Sequence, residues 1–301
     1  MHDASQTLLQ FSSHSRFKEH ILHTAFGQIY VVESGNPASI QSLLLIHGNS
    51  SSSRVWHHIL SSSVLTYDYR ILAFDLPGHG LSDNAPDPQR TYTMHGYAEC
   101  AIDVANQLAV DEFVVLGWSL GGHIAIEMMP LVKSSPTVTL KGVMLVGTPP
   151  SLGFEQTSLG FFKESKSPHM KLTSQEHFTE EDAYNYAHEA TGSPFEEWQL
   201  AAALRTDGRA RKQMFSAFTA GFGVDQVKVV EEEHNLLLGV VNGATEPFVN
   251  LDYLDGLHWG RLWEGRCLRL DGLGHAPFWE NPAQFESILE NFLKCCERKI
   301  Y

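Results

Sequence analysis

The chain has 301 residues, 43% of them hydrophobic, which is enough to bury one large α/β core and an insertion. Its formal net charge is −14 and no stripe of lysine and arginine offsets it, so we expect neither nucleic acid nor a membrane as a partner. We find no signal-peptide core and no apolar run of about 18 residues, and the four cysteines lack C-x-x-C spacing. These features are typical of a cytoplasmic protein with reduced thiols.

The predicted elements begin after a polar segment, residues 1–18, which we interpret as a flexible extension. An opening hairpin, 21–33, turns around Gly27, and short apolar runs then alternate with stretches of helical spacing. The predicted strands after the hairpin are 43–46, 71–74, 113–116, 143–146, 236–241 and 267–270, and the predicted helices of the core are 92–108, one starting near 124, and 282–296. This alternation indicates a mostly parallel, doubly wound sheet with helices on both faces.

The alternation stops between residues 151 and 233, where aromatic side chains and helical patterns dominate. We predict that this segment is a helical cap, inserted between two parts of the core, residues 19–150 and 234–301. In open α/β sheets ligands bind at the carboxyl ends of the strands, and the cap is expected to cover that edge. Its aromatic residues are candidates both for a small core of its own and for the wall of a pocket.

Residues 117–122 read Gly-Trp-Ser-Leu-Gly-Gly, a G-x-S-x-G motif between a predicted strand and a predicted helix. The glycines permit a turn so tight that a Cβ at either flank would collide with neighbouring backbone. Such a turn exposes the Ser119 hydroxyl as a nucleophile and leaves the Leu120 N–H at the start of a helix, where it can stabilise an oxyanion. The alternative interpretation is a structural turn serine.

A serine hydroxyl needs a base, and the base needs an acid that orients it. His275 is the predicted base, because it lies in a glycine-rich loop between the last strand and the last helix. Glu246 is the predicted acid, since it is the only carboxylate in the loop after the preceding strand. Asp252 and Asp255 lie further along, in a predicted helix, and Asp271 is too close to His275 along the chain to face its Nδ1 easily.

The loop after the first central strand supplies the second oxyanion donor. We predict that this donor is the backbone N–H of Asn49, whose side chain is also a candidate to face the pocket. His47 is interpreted as a buried structural histidine, and Asp75 as part of a turn beneath the site.

Histidine is abundant in this chain, with 16 residues, so metal-dependent hydrolysis is an obvious alternative. It would require clustered ligands such as H-E-x-x-H, which are absent from the sequence. The neighbours His57 and His58 point about 100° apart on a helix and cannot share one metal ion. We therefore predict no metal site and no cofactor.

Several motifs together resemble the N-acyl-homoserine lactonases of the α/β-hydrolase fold. They are residues 47–52, 75–80, 117–123, 147–150, 205–211, 242–249 and 274–278. The resemblance implies an α/β-hydrolase fold with a cap, a glutamate as the acid, and opening of a lactone ring, the reaction of quorum quenching. It also implies that Tyr186 of the cap hydrogen-bonds the lactone. We further expect Trp118, beside the nucleophile, to contact the substrate.

The expected function is metal-independent hydrolysis of a lactone ring, by resemblance that of N-acyl-homoserine lactones, by a monomer or weak homo-oligomer with a small-molecule lactone or ester as its substrate. Ser119 attacks the carbonyl while His275 takes its proton, and a variant in which His275 activates water directly stays open. The alternatives are a carboxylesterase or C–C bond hydrolase with the same Ser119, His275 and Glu246, and a slow-hydrolysing ligand receptor. Dehalogenases and epoxide hydrolases would need a carboxylate at position 119.

Overall fold

The computed structural model describes residues 4–11, 16–162 and 166–297. Eight strands form one sheet in the order β1-β2-β4-β3-β5-β6-β7-β8. Their bounds are β1 Lys18–Thr24, β2 Gly27–Gly35, β3 Ser42–Ile46, β4 Arg70–Phe74, β5 Glu112–Trp118, β6 Thr139–Val146, β7 Leu237–Gly243 and β8 Leu268–Leu270. β2 pairs antiparallel with β1 and β4, and all the other neighbours are parallel. The predicted α/β architecture with a mostly parallel sheet is confirmed.

The central strands are buried along their whole length because helices cover both faces of the sheet. Every residue of β3 and β7 is buried, whereas β1, at the edge, has exposed and half-buried positions. This difference explains why the central strands are recognisable in the sequence as uninterrupted apolar runs. The parallel pairing of the central strands directs their carboxyl ends towards a single edge of the sheet, where the predicted site residues follow.

Fourteen α-helices lie in the described part of the chain. They are α1 Ala4–Leu9, α2 His57–Ser61, α3 Leu65–Asp68, α4 Pro88–Thr91, α5 Met94–Gln107, α6 Leu120–Lys133, α7 Gly153–Thr157, α8 Glu180–Thr191, α9 Glu197–Arg205, α10 Gly208–Thr219, α11 Gln226–Glu232, α12 Leu251–Gly256, α13 Pro277–Glu280 and α14 Pro282–Glu297. None of them combines the length and apolar composition that a bilayer span requires. All four cysteines are free thiols.

The segment between β6 and β7 contains α7 to α11 and no strand among its described residues. Part of it has a small apolar cluster of its own, formed by Ala183, Ala187 and Ala203 with Phe178, Phe195 and Leu200 packed against them. Other side chains of the segment belong to the main core, Tyr186, Trp198 and Phe218 among them. Aromatic residues of the segment therefore contribute to a small core of its own, one of the two predicted uses, and others line a cavity, which is the second. The boundaries at 151 and 233 stay a prediction.

The structure differs from the flexible extension predicted for residues 1–18. This segment includes α1, and the Leu9 and Phe11 side chains are buried in the main core. The Phe11 ring packs against Phe17, with 5.1 Å between the ring centroids. Burial of these two apolar side chains offsets part of the entropy lost in ordering the segment. Residues 1–3 and 12–15 lie outside the described part of the chain.

Candidate active site

Ser119 lies in the sharp turn between β5 and α6. Its backbone has φ 55° and ψ −117°, a conformation that is strained for any residue with a Cβ. A Cβ at Gly117 would collide with the carbonyl oxygen of Gly121, and one at Gly121 would collide with that of Ile46. The two flanking glycines are therefore required by close backbone contacts, as the motif predicts.

His275 and Glu246 form a buried hydrogen-bonded pair. Both carboxylate oxygens of Glu246 lie 2.8 Å from His275 Nδ1, and the two residues are only 4% and 6% exposed. Glu246 Oε1 also accepts the Phe248 N–H at 3.0 Å. Because a carboxylate can only accept, Nδ1 is the donor in this pair, and Nε2 is the nitrogen that carries the lone pair of the neutral imidazole.

The aspartates that competed with Glu246 for this role lie elsewhere. Asp252 and Asp255, at α12, both contact Arg269 on the surface, at 2.6 and 2.5 Å. No hydrogen bond joins either carboxylate to His275 in the described part of the chain, so the structure pairs His275 with Glu246 and not with these two aspartates.

Hydrogen bonds join the nucleophile turn to the ends of the neighbouring strands. The Ser119 N–H donates to the Val146 carbonyl at 2.8 Å, and the Thr148 hydroxyl donates to the Ser119 carbonyl at 2.9 Å. Gly147, with φ 62°, lies against the His275 ring, and a Cβ there would come within 2.5 Å of it. The loops after β5, β6 and β8 thus converge at one edge of the sheet.

A narrow cavity opens at this edge, under the helices that follow β6. Four predicted site residues line it, namely Asn49, Ser119, Leu120 and Tyr186. The rest of its wall is mostly apolar and consists of Met94, His123, Thr157, Phe161, Met170, Thr173, Met214, Phe215 and Phe218. A small number of polar groups in an apolar cavity is typical of a ligand site.

Tyr186 and Asn49 both line the cavity. Burial raises the pKa of the Tyr186 hydroxyl, against the opposing effects of the Arg211 charge and a hydrogen bond with the Asn49 side chain. Tyr186 therefore stays protonated at neutral pH and remains a hydrogen-bond donor. The Asn49 side chain donates to the Thr173 carbonyl at 3.0 Å, which holds it against the segment that follows β6.

Trp118 does not occupy the place predicted for it. It is not among the described residues that line the cavity, and its side chain is 1% exposed. Its indole N–H donates to the His275 backbone carbonyl at 2.9 Å, and its ring packs 5.5 Å from the His275 ring. The side chain at the end of β5 is thus covered by the His275 loop, and Trp118 supports the base where substrate contact was expected.

Arg211, on α10, is a residue of the site that sequence reasoning missed. It is buried, its guanidinium carbon lies 3.8 Å from the centre of the Phe178 ring, and it donates to the Ser50 hydroxyl at 3.3 Å and to the Gln175 carbonyl at 2.8 Å. Burial lowers its pKa to about 10, so it stays charged at neutral pH. Arg211 ties the helices after β6 to the loop that carries Asn49. Its only sequence signal is its place in one of the resembling motifs.

Glu280 is the second such residue. Its carboxylate accepts the Gly274 N–H at 3.0 and 2.9 Å and the Ala276 N–H at 3.3 Å, which are the backbone groups on either side of His275. Burial raises the pKa of Glu280, while these N–H groups and the nearby His275 oppose that rise. The carboxylate holds the backbone of the loop that presents the predicted base. The signal in the sequence that could have identified Glu280 is its place as an acidic residue shortly after His275.

His47 and Asp75, which we interpreted from the sequence as structural residues, both make structural contacts in loops near the site. His47 is fully buried, its Nε2 accepts the Leu76 N–H at 3.0 Å, and burial lowers its pKa to about 4. Asp75 accepts the N–H groups of Ser53 and Leu81 at 2.6 and 2.7 Å. These contacts hold the loops beneath the cavity.

Nothing in the described residues groups three or more His, Cys, Asp or Glu side chains in a way that could hold a metal ion. A wider groove, of about 580 Å³, lies at the amino ends of β6 and β7 and includes Lys133, Arg261 and Cys295. None of the predicted site residues lines that groove, and those that line a cavity lie at the opposite edge of the sheet.

Comparison with known proteins shows to which family the chain belongs. A model of the alpha/beta hydrolase family matches residues 43–288. The chain belongs to this family. The α/β-hydrolases that it matches along nearly the whole length include curated pimeloyl-[acyl-carrier protein] methyl ester esterases. The protein from Nitrosomonas europaea is 25% identical over 282 residues, 87% of this chain and 98% of the relative. That from Aeromonas hydrophila is 27% identical over 83% and 94% of the two chains.

Solved structures give a closer likeness within the family. The structure of the N-acyl homoserine lactonase AidH complexed with N-butanoyl homoserine is 42% identical, with a TM-score of 0.87 over 94% of this chain and 99% of that one. A mutant of AidH complexed with N-hexanoyl homoserine lactone is also 42% identical, with a TM-score of 0.86 over 93% and 98%. The predicted resemblance is confirmed. All of these relatives are named for cleavage of a carboxylic ester bond, which supports an ester hydrolase.

Proposed function

We propose that this α/β-hydrolase is a serine hydrolase that opens the lactone ring of N-acyl-homoserine lactones without a metal. The observation that carries the proposal is that Asn49, Ser119 and Tyr186 line one apolar cavity beside the buried pair of His275 and Glu246. An amphipathic lactone with an apolar acyl chain suits such a cavity. The 42% identity to AidH, which extends through the segment between β6 and β7, adds support.

In the proposed reaction, the Ser119 hydroxyl attacks the ring carbonyl while His275 Nε2 takes its proton. Glu246 stabilises the imidazolium that forms. The backbone N–H groups of Asn49 and Leu120 stabilise the oxyanion, each donor being worth about 3 kcal/mol of barrier. Tyr186 donates a hydrogen bond to the lactone. Water then releases the N-acyl-homoserine.

The leaving alkoxide stays tethered to the acyl group, so it can close the ring again unless water reacts first. A route in which His275 activates water for direct attack on the ring avoids this return and gives the same product. Rapid quenching with mass spectrometry distinguishes the two, since only attack by Ser119 adds the mass of the substrate to the protein.

The second candidate is a carboxylesterase acting on a linear acyl ester. It is favoured by the match to the methyl ester esterases over more than four fifths of the chain. The deciding experiment compares turnover of homoserine lactones, a fatty acyl methyl ester and p-nitrophenyl esters, all in EDTA. We expect sustained lactone opening, many products per protein, and none in the Ser119→Ala variant.

Three results would contradict the proposal. Preference for the linear methyl ester would favour the second candidate, and release of about one product per protein would indicate a receptor. Restoration by zinc of an activity that EDTA had removed would overturn the metal-free serine mechanism.

A further inference from the structure

His123 is a polar residue of the cavity that the proposed mechanism does not use. It lies on α6, one helical turn after Ser119, and its backbone N–H donates to the Ser119 carbonyl at 3.3 Å. The side chain lines the cavity but is only 3% exposed. Its ring packs on the rings of Phe161 and Phe218, with centroid separations of 5.7 and 4.8 Å. The imidazole therefore lies in the apolar part of the wall.

The proton of this imidazole is held at Nδ1 by Gln226. Nδ1 lies 2.7 Å from Gln226 Oε1, and the Gln226 amide donates through its Nε2 to the His123 carbonyl at 3.3 Å. Oε1 also accepts the Ser151 N–H at 3.3 Å, which gives the amide the same orientation. Because Oε1 can only accept, His123 Nδ1 is the donor.

His123 Nε2 is consequently an acceptor. Burial lowers the pKa of the ring to about 4, so the imidazole is neutral at neutral pH and Nε2 has a free lone pair. This atom has no hydrogen-bond partner among the described residues. A buried acceptor without a partner is costly, and here it belongs to a residue that lines the proposed substrate cavity.

We propose that His123 Nε2 accepts a hydrogen bond from a hydroxyl on the acyl chain of the substrate, so that 3-hydroxyacyl-homoserine lactones are preferred over 3-oxoacyl ones. The inference rests on the proposed lactonase function and adds the substrate class to it. A hydroxyl donates to the lone pair of Nε2, whereas a keto oxygen can only accept and is repelled by it. The position suits the acyl chain because His123 lies a helical turn, about 5.4 Å, from the nucleophile.

The test is kcat/KM for 3-hydroxyhexanoyl-, 3-oxohexanoyl- and hexanoyl-homoserine lactone, followed by the acid released on ring opening. We expect the hydroxyl substrate to be favoured over the 3-oxo substrate by about three- to tenfold, the usual worth of one net hydrogen bond. His123→Phe keeps a ring of similar size and removes the acceptor. His123→Asn keeps an amide N–H for Gln226 and removes Nε2.

Both variants are expected to open hexanoyl-homoserine lactone and to lose the preference for the hydroxyl. Equal rates for the hydroxyl and 3-oxo substrates in the wild type would overturn the inference, as would a preference that persists in both variants. A loss that is the same for all three lactones would assign His123 a purely structural role. If no lactone were opened while simple esters were, the proposed function would fail together with the inference.

Discussion

The Trp118 indole donates to the backbone carbonyl of His275 at 2.9 Å, so the residue before the proposed nucleophile holds the proposed base. Trp118→Phe removes this bond and keeps most of the ring. We expect kcat to fall about three- to tenfold with KM unchanged, because Trp118 orients His275 and does not line the cavity. Steady-state kinetics on a homoserine lactone measures both constants. A rise in KM at constant kcat would instead indicate that Trp118 contacts the substrate.

The buried pair of Glu246 and His275 predicts a large effect of Glu246→Gln. The amide preserves the shape but removes the charge that stabilises the imidazolium, so kcat is expected to fall by a factor on the order of 10⁴. Asp252→Asn is the matched control, since that carboxylate contacts Arg269 on the surface, and its kcat should be unchanged. If the control lost activity and Glu246→Gln did not, the acid would be wrongly assigned.

Tyr186 is expected to act on the lactone through its hydroxyl alone. Tyr186→Phe should lower kcat/KM for homoserine lactones by about 1–3 kcal/mol of transition-state stabilisation, with the unfolding temperature nearly unchanged. The loss should be smaller for p-nitrophenyl acetate, which lacks the ring and the amide. Equal losses for both substrates would make Tyr186 part of the general machinery, and no loss for either would remove it from the site.

We predict that Glu280 positions His275 by holding the backbone of its loop. Glu280→Gln removes the negative charge and keeps one acceptor oxygen, which at the Oε1 position still accepts from Gly274 and Ala276, while an amide N–H replaces Oε2 opposite the Gly274 N–H. We expect kcat to fall by about tenfold while KM stays the same, and Glu280→Asp to lose as much because it is too short to reach both groups. Unchanged kcat in both variants, measured on the same lactone, would show that the loop keeps its shape without Glu280.

Because His123 is buried, we predict that a fall in pH lowers the free energy of unfolding. Its pKa falls from 6.5 to about 4 on folding, so the folded protein binds fewer protons than the unfolded one between these pH values. The free energy of unfolding is therefore expected to drop as the pH falls from 6.5 to 4, by about 3 kcal/mol for this group. Denaturant titrations at several pH values measure this drop in the free energy of unfolding. It should be smaller in His123→Phe than in the wild type, and unchanged in the control His177→Phe, where the histidine is exposed. Parallel curves for wild type and His123→Phe would contradict a neutral buried imidazole.

The sequence by itself determined the features whose cause is local. The turn around Ser119 is encoded by glycines that avoid backbone collisions, and the central strands by apolar runs that both faces of a covered sheet require. The loops carrying Glu246 and His275 follow the neighbouring parallel strands β7 and β8, and the carboxyl ends of parallel strands meet at one edge. Their pairing could therefore be predicted across 29 positions of sequence separation.

Only the tertiary structure decided which side chains support these groups. Trp118 faces the His275 loop and not the cavity, Glu280 holds the backbone beside His275, and Gln226 orients His123 across 103 positions. Leu9 is buried although its segment is polar. Each of these contacts depends on the relative placement of elements distant in the chain, which periodicity and motif spacing do not encode. A side chain's neighbours are set by packing, whereas its backbone conformation is set largely by the residues beside it.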